Sequence, residues 1–395
     1  MSLVLTLVLL PSLVIAANAT GTPQTAWDGD GLSVDTAFPG GNLIVENIAN
    51  GVLRVRHDQR DTPRPWFNWA FRLRGQAGRR VEVQFGSAVV GVRGPALSGD
   101  DGATWHWLDD TAGARRSSFA VTLPADGSAL RLSMGIPYQV STWTAFTTAN
   151  PELKPTSLCQ SRHGRQVPLL RVGGGTSAPC LIVVTARHHS CEAMAGFVLE
   201  GLARAVLADA TWKTRAECVF IPFVDIDGVE EGDQGKGRQP HDHGRDYHGD
   251  SLYPETAAIR VGLPTWAAGR RTIVIDLHCP GLGGTHHQHI HQVGAADATA
   301  WAAQQRFAEV LEQTKRGPLP YRATGDLPFG SAWNVAASYV DGKSLREWAS
   351  EQPHMRLATS IEIPYADANS VAVLPDGARA FGADLARALA ALLAR

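Results

Sequence analysis

Leu181-Ile182-Val183-Val184-Thr185-Ala186-Arg187-His188-His189-Ser190-Cys191-Glu192-Ala193-Met194-Ala195 is the stretch on which the fold turns. Its first four residues are apolar and mostly β-branched, a run too short for a helix, and they predict a buried strand. From Ala193 to Leu207 apolar residues recur at helical spacing, which predicts a helix. Between them lies a polar turn, at the carboxyl end of a strand, where ligand sites of α/β sheets gather. His189 and Glu192 stand three residues apart, so on a turn entering a helix they face the same side. One imidazole nitrogen and one carboxylate can then reach a single zinc ion. The same spacing arises often by chance, in which case Glu192 is a helix-start acid beside a polar histidine.

Working outward, Cys218 to Val224 and Thr272 to Leu277 also read as strands, and Asp376 to Arg395 as a closing amphipathic helix. Buried strands alternating with helices predict an α/β domain with a mainly parallel sheet. Asp276-Leu277-His278 ends the second of these strands. A lone histidine there is more often structural, but His278 brings a third ligand to the same sheet edge. Three protein ligands with one open position make a catalytic zinc site. In Thr359-Ser360-Ile361-Glu362-Ile363, a glutamate interrupts an apolar, β-branched strand. Burying it is costly without a partner or a task. Glu362 is therefore either an ion-paired edge residue or, beside a metal, a general base.

Upstream, residues 22–148 form short alternating runs separated by Gly, Asp and Pro, among them Gly51 to Arg56, Phe67 to Leu73, Val81 to Phe85 and Leu130 to Met134. That pattern predicts an all-β sandwich. Ala149-Asn150-Pro151-Glu152-Leu153-Lys154-Pro155 reads as a linker. The expected organisation is a sandwich over 20–150 and an α/β domain over 151–395. Residues 1–19 read as a signal peptide, apolar from Ser2 to Ala16 with small residues after it, although no Lys or Arg precedes the run. The competing reading is a short membrane anchor, which Pro11 and the short length disfavour. A secreted or periplasmic protein without stable membrane association is expected. A net charge of −2 and no basic run give no reason to expect nucleic acid as partner. The 5 cysteines form no disulfide framework and read mostly as buried apolar fillers.

Together these clusters resemble the zinc carboxypeptidase family. The likeness extends through Pro222 to Asp233, similar to the family's asparagine-proline-aspartate-glycine stretch, and through Asp242-His243-Gly244-Arg245 and Tyr339 to Trp348. Phe38 to Asn42, Trp66-Phe67 and Pro137-Tyr138 resemble the sandwich that precedes the peptidase in cytosolic-carboxypeptidase-like members. The resemblance implies a mixed sheet flanked by helices and one zinc per chain, held by His189, Glu192 and His278. It also implies hydrolysis of the C-terminal bond of peptides or proteins. Asp242 would orient a ligand imidazole. Arg245 would hold the terminal carboxylate. Glu362 would act as base, and Tyr339 would close over the substrate.

The sequence departs from the family at two positions. Gly244 stands where an asparagine usually helps to hold the carboxylate, and Gly235 where the carbonyl-polarising arginine falls. Lys236 and Arg238 flank that second gap, and either is a candidate replacement. In Ser344-Leu345-Arg346-Glu347-Trp348, either Leu345 or Arg346 faces the pocket for the terminal side chain. Leu345 favours apolar termini and Arg346 acidic ones, unless Arg346 is solvated or paired with Glu347. His286, His287, His289 and His291 are expected as polar rim residues on an alternating strand rather than a second metal site. Two other functions remain open: a zinc-dependent amide hydrolase that needs no free C-terminus, such as a deacylase or cell-wall peptide amidase, and a non-catalytic binder.

Overall fold

A computed structural model describes residues 25–109, 116–283 and 285–394. The expected signal peptide lies outside the described residues. Among them, no helix is long and apolar enough to cross a membrane.

The decisive stretch folds as expected. Cys180–Ala186 is a strand buried at every position, and Ala193–Ala208 is the helix after it. The strand is the second of four parallel neighbours, in the order Glu217–Ile221, Cys180–Ala186, Arg271–His278 and Met355–Glu362. Antiparallel strands extend both edges. Gln166–Gly173 and then Thr156–Gln160 lie beyond the first, and His291–Val293 beyond the last. The sheet is therefore mixed, with a parallel centre. Helix Ala193–Ala208 packs against the C-terminal helix Pro375–Leu393 at backbone distance. Gly201 and Gly382 permit this, because a Cβ on either would stand 2.1 Å from a backbone oxygen of the other helix.

Strand register sets the site. His278 is opposite Glu362 in the parallel ladder, so the ends of these two strands bring an imidazole and a carboxylate side by side. Arg187, His188 and His189 leave the neighbouring strand at the same edge.

Among the described residues, the N-terminal half forms two sheets. One has six strands, ordered Ala26–Gly29, Leu32–Asp35, Ala70–Gly75, Leu130–Ser133, Ala96–Ser98 and His106–Trp107. The other has four, Ile44–Ala49, Val52–Arg56, Arg80–Phe85 and Ser118–Thr122. Trp69, which leads into the first sheet, packs its ring on Phe85 and Phe119 of the second, at centroid distances of 4.9 and 5.8 Å. Helix Val140–Ala149 precedes the expected linker. One hydrophobic core continues through both halves, so the junction at residue 150 does not divide the apolar interior.

The histidine-rich segment differs from expectation. It is not one alternating strand: Thr285–His287 is a 3-10 turn, and only His291–Val293 joins the sheet. His291 is fully buried rather than on a rim. None of the cysteines is paired, and all but Cys159 are buried.

Candidate active site

His189, Glu192 and His278 converge, with one ligand atom from each lying within 4.8 Å of the others. The Glu192 carboxylate sits between the imidazoles, its Oε1 2.9 Å from His189 Nδ1 and its Oε2 2.8 Å from His278 Nδ1. Burial pushes the Glu192 carboxyl up, but Lys236 and the two histidines outweigh it and hold the carboxyl well below the usual range. Two imidazoles and one carboxylate leave one coordination position of a tetrahedral zinc open, so the donor set fits the implied metal.

His188, Asp276 and His278 form a second convergent group. His188 is fully buried, and both its nitrogens are engaged, Nδ1 with Asp276 Oδ1 at 2.8 Å and Nε2 with the Tyr247 hydroxyl at 2.8 Å. Asp276 Oδ2 lies 2.7 Å from His278 Nε2, and Oδ1 accepts from the Thr185 hydroxyl. This chain fixes the His278 ring so that Nδ1 faces Glu192.

Asp242 lies 3.5 Å from His189 Nε2, longer than a hydrogen bond, while its Oδ2 accepts from the Gly237 backbone. Glu362 is buried, and its Oε2 has no hydrogen-bond partner. Burial raises its pKa, and the attraction of His278 and Lys236 offsets this only in part. A carboxylate held above its ordinary value beside a candidate metal site suits a base.

His189, Glu192, Asp242, His278 and Glu362 line a cavity of about 490 Å³. Lys236 extends into it with Nζ 2.7 Å from Glu192 Oε1, donating to the Cys279 carbonyl. Arg238 is committed elsewhere, its guanidinium held by Asp61, Asp225 and Asp233 at 3.1, 2.6 and 2.8 Å. Of the two candidate cations, only Lys236 brings its charge to the ligands. A reason for glycine at 235 is steric: φ is +75°, and a Cβ would stand 2.2 Å from the Ser190 nitrogen. At Gly244 a Cβ would stand 2.7 Å from His189 Nε2.

Across the cavity, Arg245 lies over the Tyr339 ring, 4.9 Å from its centroid, and donates to the backbone oxygens of Gly244 and Ser338. Tyr339 donates its hydroxyl to Asn334 Oδ1 at 2.7 Å. Leu345 points into the core, whereas Arg346 lines the cavity. Arg346 is 2% exposed and forms no ion pair among the described residues. Its Nη2 reaches the Tyr339 hydroxyl at 3.3 Å, and its Nε has no partner. Glu347 instead closes a capping box with Ser344, so it does not neutralise Arg346. Sequence reading missed the contributions of Trp66, Arg64 and Asp61, which come from the N-terminal half, and of Tyr247.

No family model matches this chain, and no curated protein does. Solved structures do. A candidate carboxypeptidase from Burkholderia mallei superposes with a TM-score of 0.74 at 17% identity, over 93% of this chain and 98% of that one. A metallo-carboxypeptidase from Burkholderia cenocepacia gives 0.70 at 18%, over 91% and 98%. A metallo-carboxypeptidase from Pseudomonas aeruginosa, solved with (2-guanidinoethylmercapto)succinic acid, gives 0.71 at 18%, over 91% and 99%. This chain therefore has the metallo-carboxypeptidase fold, and the likeness takes in both halves.

Proposed function

We propose that this chain is a zinc-dependent metallocarboxypeptidase that removes C-terminal residues from peptides or proteins, with a preference for acidic ones. The observation that carries the proposal is the convergence of His189, Glu192 and His278 beside the buried Glu362 carboxylate, whose Oε2 has no hydrogen-bond partner among the described residues, in one cavity at the carboxyl edge of the sheet. The shared fold supports it.

His189, Glu192 and His278 would hold the metal. Bound zinc supplies a Lewis acid that makes a water acidic enough to attack at neutral pH. Glu362 accepts the proton that the attacking water loses and returns it to the departing amine. Lys236 offers its ammonium to the oxygen on which negative charge grows. Arg245, which forms no ion pair among the described residues, holds the terminal carboxylate, and Tyr339 covers it. Arg346 supplies the second buried cation, placed for the carboxylate of a terminal Glu or Asp. Burying an uncompensated guanidinium is costly, and an anionic ligand relieves that cost.

The rival reading is an amide hydrolase indifferent to the C-terminus, and Gly244, which offers no side chain to a carboxylate, is what favours it. Incubating zinc-loaded protein with a mixed peptide pool, read by mass spectrometry, separates the two. Stepwise loss of C-terminal residues supports the proposal, and internal cleavage or deacylation refutes it.

A further inference from the structure

The loop 232–238 has no regular secondary structure, so its backbone groups must find partners elsewhere. They find them in the N-terminal half. Asp61 Oδ1 accepts from the Gln234 backbone at 3.1 Å, and Oδ2 from the Gly235 backbone at 2.8 Å and from Arg238 Nε at 3.1 Å. Asn42 and Asn68 donate to the Gly232 carbonyl at 2.7 and 3.1 Å, and Thr62 donates to that of Gly237 at 3.1 Å. Gln234 is fully buried, returning donors to the carbonyls of Asp58 and Asn68.

Two left-handed glycines flank Lys236. A Cβ on Gly237 would stand 2.9 Å from Arg64 Cδ and 3.0 Å from Trp66 Nε1, so only glycine lets the N-terminal segment come this close. The Trp66 ring in turn lies 5.3 Å from Lys236 Nζ.

We infer that Asp61 is a positioning residue of the hydrolytic centre: it clamps the backbone on the N-terminal side of Lys236 and so holds that ammonium in the cavity. The N-terminal half is then part of the catalytic apparatus rather than a wall around it. This rests on the reading of Lys236 given above. Asp61 does not itself line the cavity, and its side-chain bonds go to the loop, to the Gln234 and Gly235 backbone and to Arg238.

The test is a double-mutant cycle of Asp61→Asn and Lys236→Met in the zinc-loaded full chain, with kcat, KM, zinc content and Tm for each variant. Asp61→Asn should lower kcat ~10- to ~100-fold, the scale of a misplaced catalytic group, with KM and zinc content little changed. In the Lys236→Met background the same substitution should cost less than ~2-fold, because interacting residues are non-additive. Equal losses in both backgrounds would make Asp61 a general structural residue and overturn the inference. An unchanged kcat in Lys236→Met would instead overturn the reading of Lys236, and this inference with it. A second readout does not depend on activity: amine-specific labelling of Lys236, followed by peptide mass spectrometry, should be faster in Asp61→Asn than in the parent. An unchanged labelling rate also overturns the inference. Should Asp61→Asn show no cooperative melt, Thr62→Val, which removes the bond to Gly237, replaces it with the same expectations.

Discussion

Arg346 offers the sharpest account of specificity. The residue is 2% exposed, and its guanidinium forms no ion pair among the described residues and leaves Nε without a partner. Among the described residues, the Tyr339 hydroxyl is the one hydrogen-bond partner it has, at 3.3 Å. A substrate carboxylate that docks there exchanges water for charge-assisted bonds to a buried guanidinium. Hydrogen bonds to charged groups are worth about 1.5–3 kcal/mol, which corresponds to ~10- to ~150-fold in kcat/KM. The assay compares matched peptides ending in Glu and in Leu, with parent and Arg346→Met. The parent should favour Glu by that factor. The variant should lose the preference while its activity on the Leu peptide stays within a few-fold. Replacing an unpaired buried charge by an apolar side chain of similar length should also leave Tm unchanged or raise it. A parent that favours Leu refutes the reasoning outright. A Glu preference that survives Arg346→Met moves its cause elsewhere.

Three further outcomes are expected. The parent should hold about one zinc per chain, and His189→Ala or His278→Ala should each lose it, since two ligands remain; elemental analysis decides, and equal zinc in mutant and parent contradicts the assignment. Glu362→Gln should keep zinc and fold but lower turnover ~10²-fold or more, because an amide cannot take up the proton; a variant within a few-fold of the parent assigns the base elsewhere. His291 is held neutral by burial, its pKa pushed down to about 4 from 6.5. The unfolded chain therefore binds a proton that the folded chain refuses between those values, so stability falls as pH drops from 6.5 towards 4. His291→Gln should flatten that fall by up to about 3 kcal/mol in denaturant melts across the window, at about 1.4 kcal/mol per pK unit; parallel curves for parent and mutant refute it.

What could be read from sequence was local. The strand before His189, the helix after Glu192 and the strand ends at His278 and Glu362 lie within short windows, where periodicity and strand-terminal position carry the signal. The Arg346 alternative stayed open because the choice between two adjacent residues depends on where a six-residue helix sits, and that is set by packing against distant strands. Asp61 and Trp66 were missed for the same reason. Their partners Gly235 and Lys236 lie far along the chain, and no local pattern reports such a contact. The histidines from 286 to 291 alternate like a strand, but the first two belong to a 3-10 turn, so the period misled.

The central claim, hydrolysis at a free C-terminus, is tested most directly with one peptide made in two forms, ending in glutamic acid with a free α-carboxylate or an α-carboxamide. Each is incubated with zinc-loaded protein and followed by mass spectrometry. The account predicts release of the terminal residue from the free acid and little or none from the amide, because Arg245 then lacks its anionic partner. Equal cleavage of both forms, or cleavage only within the chain, would contradict it.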